Sequence, residues 1–474
     1  MATFQDAYID SDPEVTALFA KPMTSLMDTA PESHPWDPAL VQAIRAFNAH
    51  YDHHPHFQGH EAVIITGQQP AIFAGPLYSV YKAITTLKLA ESIAAQHGVP
   101  CVPIFWVGSE DHDFDEAATI HFPDKHHAVH SLRLEAQPHQ QDKALHEVKL
   151  TDQIHALIDT LSDAAFGTDF HDEIQTFLHE SARHSDSLAD WSTRLLVRLF
   201  RDTPLIFFAP HLAEARRASI PILEQAIRNP LEVSRCVNAG ASAVQSLGYP
   251  PQVEKADDEC GFFMEIDGNR RKVVCTDNSF RLPEINQYYT KSELLTLLHD
   301  TPEAFSPNVA LRCVVQQQLF PVSAYVAGPG ELSYWGQFNS VFEAFALPMP
   351  VVYPRASAVL TSMKSTKLLQ TYHLGLNDLL QPEEDLLDTA LRTIAQSQAL
   401  ETTYTMREEL STLLTSWTEQ LKGDDSPTPA SMSVNLTEEI NRKLDRLERV
   451  ILHIDAEQTE TVRRHVRRLR NTLA

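Results

Sequence analysis

Short apolar runs that alternate with amphipathic segments dominate the first 360 residues. The runs cover residues 61–65, 101–107, 204–210, 321–327 and 349–354. Helical patterns follow three of them, at about residues 77–96, 212–227 and 328–345. Continuous apolar strands that alternate with helices are typical of a parallel sheet covered on both faces. The pattern therefore predicts an α/β fold, a doubly wound Rossmann-like parallel sheet whose ligands lie beyond the carboxyl ends of the strands.

Two stretches interrupt this alternation. Residues 123–190 are polar, rich in histidine and helical in character, whereas residues 250–305 show a weaker, β-like alternation. Both are interpreted as insertions into a Rossmann-like core that spans residues 1–375.

Residues 376–474 have a different pattern, in which apolar residues recur at spacings of three and four. They are Met406, Leu410, Leu413 and Trp417 and, after a breaker at residues 423–429, Leu436, Ile440, Leu444, Leu447, Ile451 and Ile454. Such spacing predicts two helices that form an antiparallel coiled-coil arm. One thin hairpin cannot bury both apolar seams, so we expect a homodimer through the coiled coil.

Composition restricts the class of partner. Hydrophobic residues make up 43% and charged residues 21%, and the formal net charge of −25 argues against nucleic-acid binding and against docking on an anionic membrane. No run of about 18 apolar residues is present, and the polar, acidic N-terminus carries no secretory pattern. The five cysteines are scattered and form no C-x-x-C pair. We therefore expect a protein of the reducing cytoplasm without a disulfide framework.

A polar loop follows the first predicted strand and precedes a helix that opens near Gly75. The loop consists of Thr66, Gly67, Gln68 and Gln69. Glycine allows a ligand close to the backbone, and a helix N-terminus favours an anion. An ordinary turn between strand and helix would use the same residues. The loop matches neither the dinucleotide fingerprint nor the P-loop.

Lys82 lies on the helix after this loop, one turn beyond Tyr78 and next to Tyr81. It can project toward a bound phosphate or carboxylate, although a lysine that extends along the surface is the commoner case.

The densest titratable cluster follows the second predicted strand. Glu110, Asp111, His112 and Asp113 are consecutive there. A histidine between two aspartates can act as a general base, and we predict that role for His112. The same set can also bind a metal, or cap the next helix.

Two arginines near strand ends, Arg312 and Arg355, are predicted to bind carboxylates, because the guanidinium fork holds a carboxylate in two places. Further residues are predicted to form the wall of the site, namely Gly328, Gly330, Glu331, Tyr334 and Gln337. The histidine tracts at residues 50–60 and 121–130 have no regular ligand spacing, so we expect no tightly bound metal.

Together these stretches resemble the bacillithiol biosynthesis cysteine-adding enzymes, a family of cysteine ligases. The resemblance covers about residues 60–360, and its matching residues are 66–69, 74–85, 105–114, 311–312, Gln316, 326–331, 334–335 and 354–355. Two departures stand out. The chain ends at Ala474, where family members usually continue with a closing segment, and Pro210 and His211 replace a more usual acidic position.

The resemblance implies a Rossmann-like core with connecting-peptide insertions, a C-terminal coiled coil and a ligase that joins cysteine to glucosaminyl-malate. Amide formation requires an activated carboxylate, most simply through ATP. In this scheme His112, flanked by Asp111 and Asp113, takes the proton of the amine. Lys82 and residues 66–69 meet phosphate or the cysteine carboxylate, and Arg312 and Arg355 hold the malate.

Two other classes remain open. One is a metal-dependent phosphoesterase or a nucleotidyltransferase on the same core, built on residues 110–113. The other is a non-catalytic coiled-coil scaffold, in which residues at the strand ends would tolerate substitution.

Overall fold

A computed structural model describes residues 3–124, 128–136, 140, 143–165, 167–276, 279–395, 398–422, 428–454 and 456–471 of the chain. The chain divides into two compact units. The first comprises Met1–Ile120, Ser131–Asp163 and Gly167–Ala358, and the second comprises His121–His130, Ala164–Phe166 and Val359–Ala474.

The helices are α1 (Phe4–Ile9), α2 (Pro13–Thr16), α3 (Ser25–Asp28), α4 (Pro38–His50), α5 (Tyr78–His97), α6 (Phe114–Ala117), α7 (Gln153–Ala164), α8 (His171–Arg183), α9 (Leu188–Phe200), α10 (Ala213–Ala218), α11 (Ile220–Arg228), α12 (Glu232–Ser246), α13 (Lys291–Asp300), α14 (Val309–Leu319), α15 (Pro329–Trp335), α16 (Asn339–Ala344), α17 (Met363–Thr371), α18 (Glu383–Ile394), α19 (Gln398–Lys422), α20 (Thr428–Leu452) and α21 (Ala456–Arg470). Among the helices described, none combines the length and apolar character that a membrane span requires.

The strands are β1 (Ala62–Gln68), β2 (Cys101–Val107), β3 (Thr119–Pro123), β4 (Val129–Arg133), β5 (Ile206–Phe208), β6 (Glu259–Ile266), β7 (Asn269–Thr276), β8 (Ser279–Leu282), β9 (Gln287–Thr290), β10 (Phe305–Pro307), β11 (Val322–Ala327) and β12 (Val351–Pro354).

All five predicted apolar runs enter one parallel sheet, with the strand order β12-β11-β1-β2-β5. The central strand β1 pairs with β2 on one side, in register from Ala62 opposite Cys101 to Gln68 opposite Val107. On its other side it pairs with β11, which comes much later in the chain. The order reverses between β1 and β11, and such a switch point is where open α/β sheets bind ligands at their carboxyl edge. The predicted α/β fold with a parallel Rossmann-like sheet is confirmed.

Both faces of this sheet are buried, which explains why its strands read as continuous apolar runs. Successive side chains alternate between the faces. Ile64 packs with Leu89 and Ile93 of α5 on one face, whereas Ile65 belongs to the larger core on the other face, together with Ile44 of α4. Full burial of each of these side chains contributes roughly 1.5–3 kcal/mol.

The predicted insertion at residues 250–305 contains most of a second, antiparallel sheet with the order β10-β6-β7-β8-β9. Its inner face carries Phe262, Met264 and Phe280, which belong to the same hydrophobic core as Ile65. The weak β-like alternation was therefore a correct indication of strands. The interpretation as an appended segment was wrong, because these strands complete the main core.

Two predicted helices are each divided in the structure. Residues 212–227 form α10 and α11, which meet at Ser219 just before Pro221, since proline lacks the N–H that a continuous helix needs. Residues 328–345 form α15 and α16. Between those two helices the Gln337 amide donates to Val253 O at 2.7 Å and accepts from Gln252 N at 2.9 Å. These bonds stabilise the break.

The second unit contains a small helical core formed by α18, the end of α20 and α21. Leu386, Leu391, Leu452 and Val466 are buried in it. In the long helices α19 and α20, Arg407 forms ion pairs with Asp445 and Glu448, both at 2.7 Å.

The predicted coiled-coil arm falls on these two long helices. The side chains of Trp417 and Leu436 and the breaker at residues 423–427 lie outside the described residues. Four members of the predicted seams are exposed, namely Met406, Leu413, Leu447 and Ile454. The arm and its homodimer stay predictions.

Candidate functional site

A cavity of about 650 Å³ lies in the first unit at the carboxyl edge of the parallel sheet. Most of the predicted site residues line it, and they come from the ends of four parallel strands, from the segments that follow those strands, and from α14. They are Gly67, Gln68, Gln69, Tyr78, Lys82, Asp111, His112, Arg312, Gly328, Gly330, Glu331, Tyr334 and Arg355. The topology thus brings together residues that are almost 300 positions apart.

Lys82 lies at the base of the cavity, and its side chain is only 3% exposed. Its ammonium donates to Gly67 O at 2.7 Å and to Gln68 Oε1 at 3.0 Å, and it forms an ion pair with Glu331. Burial lowers the pKa of Lys82, while the Glu331 carboxylate acts in the opposite direction. Its position one turn into α5 brings this lysine to Gly67 and Gln68 at the end of β1, which the structure extends into the predicted loop. It is not a lysine that extends along the surface.

Glu331 connects the β11 loop to the base of the cavity. Its Oε1 accepts from the Tyr325 hydroxyl at 2.6 Å, and its Oε2 accepts from Gly328 N at 2.7 Å. A Cβ at Gly328 would lie 3.3 Å from Glu331 Oε2 and 3.6 Å from Arg355 Nε. Glycine at this position lets the Glu331 carboxylate and the Arg355 guanidinium lie close to the backbone.

Arg312 and Arg355 border the cavity from α14 and from the end of β12. The Arg312 guanidinium carbon lies 5.8 Å from the Trp106 ring centroid, and that of Arg355 lies 5.4 Å from the Tyr78 ring. Within the described part of the chain, neither forms an ion pair with a carboxylate. Aromatic faces stabilise the two cations. Arg312 Nη1 donates to Gln316 Oε1 at 3.3 Å and Arg355 Nη1 donates to Ser357 Oγ at 2.9 Å, so both forks are held by neutral partners.

The loop after β2 is attached to the fold through Glu110, which forms a buried ion pair with Arg216 at 3.0 Å. Asp111 Oδ1 accepts from the backbone N–H groups of His112 and Asp113, at 2.7 and 3.2 Å. It lies 3.9 Å from His112 Nδ1. Asp111 therefore shapes the loop and does not bind the imidazole directly.

Asp113 does not line the cavity. Its side chain accepts from Glu116 N at 3.1 Å and caps α6, so the capping alternative describes it best. The role predicted for Asp113 beside His112 stays a prediction.

Five other predicted binding residues also lie outside the cavity lining. Thr66 donates to Val326 O at 2.8 Å and ties β1 to β11. Gln316 accepts from Arg312 Nη1 at 3.3 Å, and Gln337 stabilises the helix break described above. Gly75 has a φ of 75° at the turn before α5, and the Tyr81 hydroxyl is buried. None of the five lines the cavity, and their predicted contact with a ligand stays a prediction.

The structure adds lining residues that the sequence did not single out. They include Trp106, Glu116, Lys255, Phe263, Arg270, Asn308 and Tyr325. Several come from the antiparallel sheet or its margins, where no motif marks them. Burial raises the pKa of Glu116, and the nearby carboxylates of Asp113 and Asp111 raise it further.

Arg270 is the most distinctive of these additions, because it meets a predicted catalytic residue. Its Nη1 lies 3.2 Å from His112 Nδ1. An arginine on a strand with alternating polarity is normally interpreted as a surface residue. The sequence pattern therefore does not predict that Arg270 lines the cavity. The base role predicted for His112 stays a prediction.

The departure noted at Pro210 and His211 lies beside the site. Pro210 lines the cavity, whereas His211 stacks on His146 with ring centroids 4.5 Å apart. His211 Nδ1 is 2.6 Å from the Ser109 hydroxyl, and burial lowers the pKa of His211 to about 3. A neutral His211 thus supports the loop after β2 through Ser109.

Among the described residues, no three His, Cys, Asp or Glu side chains converge as a metal site would require. In the first histidine tract, His53 is buried and bonds to Arg201 O and Leu205 O at 3.1 and 2.6 Å. His126 and His127 of the second tract lie outside the described residues.

Comparison with known proteins gives a consistent result. Residues 2–356 match the family described as bacillithiol biosynthesis BshC, N-terminal Rossmann-like domain. A relative from Salinibacter ruber is 38% identical over 315 residues, which are 66% of this chain and 57% of that protein. One from Symbiobacterium thermophilum is 33% identical over 68% of this chain and 60% of its own length. Both carry the name "Putative cysteine ligase BshC". The matched region thus spans less than two thirds of these relatives.

Proposed function

This chain belongs to the bacillithiol biosynthesis BshC family, and from that premise we propose that it is a ligase that joins cysteine to glucosaminyl-malate to form bacillithiol. The names of its relatives support a cysteine ligase. The observation that carries the proposal is the cavity itself, in which Lys82, Arg312 and Arg355 converge on one sheet edge. Both proposed substrates carry carboxylates, and placed cations are needed to hold them against a net charge of −25.

The two arginines are suited to the malate moiety, because each has its guanidinium fork free of protein carboxylates. Lys82 and the loop around Gln68 are suited to a phosphate or to the cysteine carboxylate. Gln68 already contacts Lys82 through its side-chain oxygen, and exchange of that oxygen for a ligand oxygen keeps the lysine hydrogen-bonded.

Amide formation from a carboxylate needs an activating group, and we propose ATP for this role. ATP supplies a good leaving group to the carboxylate carbon. The residues fit an anion of this kind, since α5 begins at the cavity wall and its positive dipole end lies there without a side-chain cap. We propose no tightly bound metal.

The purified protein is expected to form bacillithiol from cysteine, glucosaminyl-malate and ATP, with product detected by mass spectrometry. Omission of ATP is expected to stop product formation. A well-folded protein that yields no bacillithiol with any nucleotide would refute the assignment. One equivalent of zinc or manganese in the purified protein, with release of phosphate from phosphoesters, would favour the metal-dependent phosphoesterase instead.

We also propose that α19 and α20 form an antiparallel coiled-coil arm through which two copies associate. Leu413 is 65% exposed and Leu447 is 44% exposed, and both belong to the predicted apolar seams. A second copy that covers these seams would remove that surface from water.

Substitution of Leu413 and Leu447 by glutamate is expected to convert a dimer into a monomer in light scattering. The reason is that two buried carboxylates per copy cannot be solvated in an apolar seam. Thr412→Glu, at an exposed position beside Leu413, is the matched control and should stay dimeric. A monomeric wild type would contradict the proposal.

We place the reaction in the cytoplasm. The five cysteines of the chain form no C-x-x-C pair, and Cys260, Cys275 and Cys313 are buried. Scattered cysteines and a thiol product both suit a reducing compartment.

A further inference from the structure

Lys255 lines the cavity from the segment that leads into β6, and the surrounding structure fixes its backbone. The Asn238 side chain of α12 binds this backbone twice: its Oδ1 accepts from Lys255 N at 3.0 Å, and its Nδ2 donates to Lys255 O at 2.8 Å. Two residues earlier, the Gln337 amide binds Val253 N and Val253 O in the same way, at 3.1 and 2.7 Å. Two amide side chains therefore order this segment in advance, which lowers the entropic cost of a ligand contact with Lys255.

The ammonium of Lys255 shares one carboxylate with a second lysine. The Glu259 side chain is only 6% exposed, and its Oε1 lies 2.6 Å from Lys255 Nζ while its Oε2 lies 2.9 Å from Lys272 Nζ. Burial acts to raise the pKa of Glu259, but the hydrogen bonds from the two ammonium groups lower it overall, so the carboxylate is ionised at neutral pH. Two cations thus bind one anion, and the cluster has one positive charge in excess.

The two lysines differ in their relation to the cavity. Lys255 lines it with a side chain that is 14% exposed, whereas Lys272 is not among the lining residues. Glu259 accepts from one of the three donors on the Lys255 ammonium, and no other side chain in the described ranges binds this nitrogen. The acidic neighbours of Lys255 in the sequence are exposed and, within the same ranges, form no ion pair with it; they are Glu254, Asp257 and Asp258. The excess charge is therefore available at Lys255.

Backbone hydrogen bonds connect the strand of Glu259 to Arg312. Asn308 N donates to Gly261 O of β6 at 2.9 Å, and Arg312 N donates to Asn308 O at 2.8 Å in the first turn of α14. Asn308 also lines the cavity. Lys255 and Arg312 thus belong to one continuous part of the wall, which β6 and the start of α14 support. Arg312 is one of the residues proposed above for the malate moiety, and malate carries two carboxylates.

We propose that Lys255 is a further substrate-binding residue, which donates a hydrogen bond to a carboxylate of the malate moiety and thereby favours a dicarboxylate-bearing substrate. The identity of this ligand rests on the proposed ligase function. The ammonium keeps its bond to Glu259 and uses a second donor for the ligand. Because Glu259 stays paired with Lys272 as well, the arriving carboxylate neutralises the excess positive charge of the cluster and meets no net repulsion from it.

Lys255→Met is expected to weaken the binding of glucosaminyl-malate by about tenfold or more, which is typical for the loss of a hydrogen bond to a charged group. Isothermal titration calorimetry of the full chain measures this affinity without turnover. Lys272→Met is the matched control, because it also removes one cation from Glu259 but leaves the cavity lining intact. It should bind with nearly wild-type affinity. An equal loss in both variants, or no loss in Lys255→Met, would overturn the proposal.

Kinetics give a second reading of the same contact. A contact made alike in the ground state and the transition state affects KM and leaves kcat nearly unchanged. In Lys255→Met the KM for glucosaminyl-malate is therefore expected to rise, while the KM values for cysteine and ATP stay close to those of wild type. A rise confined to cysteine or ATP would refute the assignment to malate. Lys255→Gln keeps a donor for Glu259 and removes the charge, so it decides the question if Lys255→Met does not fold.

The two measurements separate this inference from the proposed function. If glucosaminyl-malate binds in a manner that depends on Lys255 but no product forms with any nucleotide, the ligase proposal fails and the role of Lys255 stands. If product forms and Lys255→Met matches wild type in both affinity and KM, the role of Lys255 fails and the ligase proposal stands. Wild-type protein that does not bind glucosaminyl-malate would contradict both.

Discussion

Replacement of Lys82 by methionine is expected to lower bacillithiol formation by at least about a hundredfold, as is typical when one fixed donor to a developing charge is lost. Lys82 is the cation at the base of the cavity, with Gly67 O, Gln68 Oε1 and Glu331 around its ammonium. Methionine has a similar length and cannot bind an anion. Mass spectrometry of the complete reaction gives the rate.

Two further variants make this result interpretable. Removal of one partner of a buried ion pair destabilises a protein by roughly 3–5 kcal/mol, so Lys82→Met alone can lose activity by unfolding. The double variant Lys82→Met with Glu331→Gln removes both charges and should regain stability without regaining activity. Lys88→Met is the matched control on α5, because Lys88 is exposed and forms only a surface pair with Glu91. Full activity in the folded double variant would contradict the role of Lys82.

Gly240→Ala is expected to lower the free energy of unfolding by about 3 kcal/mol, the upper part of the range for overpacked cores. A Cβ at Gly240 in α12 would lie 2.7 Å from both the carbonyl carbon and the Cα of Gln337. Those atoms are backbone, and the Gln337 side chain is held by Val253 and Gln252. The obstacle therefore cannot rotate away as a flexible side chain would. Urea unfolding followed by circular dichroism measures the change.

The control for this variant adds the same methyl group where space exists. At Gly330 no atom lies within 4 Å of an added Cβ, so Gly330→Ala should leave the urea midpoint near that of wild type. An unchanged midpoint in Gly240→Ala would mean that α12 and the Gln337 loop separate more easily than their packing indicates.

The sequence was sufficient to predict the parallel sheet, because strands buried on both faces must be apolar throughout and their ends must share one edge. That rule alone places Gly67, Lys82, His112 and Arg355 near one another. It could not distinguish a polar side chain that faces a ligand from one that satisfies the backbone. Thr66 shows the limit, since it was predicted in the loop after the strand but lies within β1 and donates to Val326 O in the sheet.

The position of Arg270 in the cavity could not be predicted from the sequence, for a different reason. Its contact with His112 joins residues 158 positions apart and depends on how an antiparallel sheet packs against a parallel one. Strand alternation gives the face on which a side chain lies, but not the neighbour that this face meets. The break between α15 and α16 was hidden in the same way, because the partners of Gln337 come from residues 252 and 253.

The central position of β1 has a consequence for biosynthesis of the chain. β1 pairs with β2 soon after both leave the ribosome, but its other edge must wait for β11, and the Thr66–Val326 bond joins residues 260 positions apart. Contacts of such long separation slow folding. A nascent or prematurely terminated chain that ends before β11 therefore exposes an apolar central strand with a free edge, which is a template for aggregation. The central position of β1 therefore also means that synthesis of the chain must reach β11 quickly if aggregation of the incomplete chain is to be avoided.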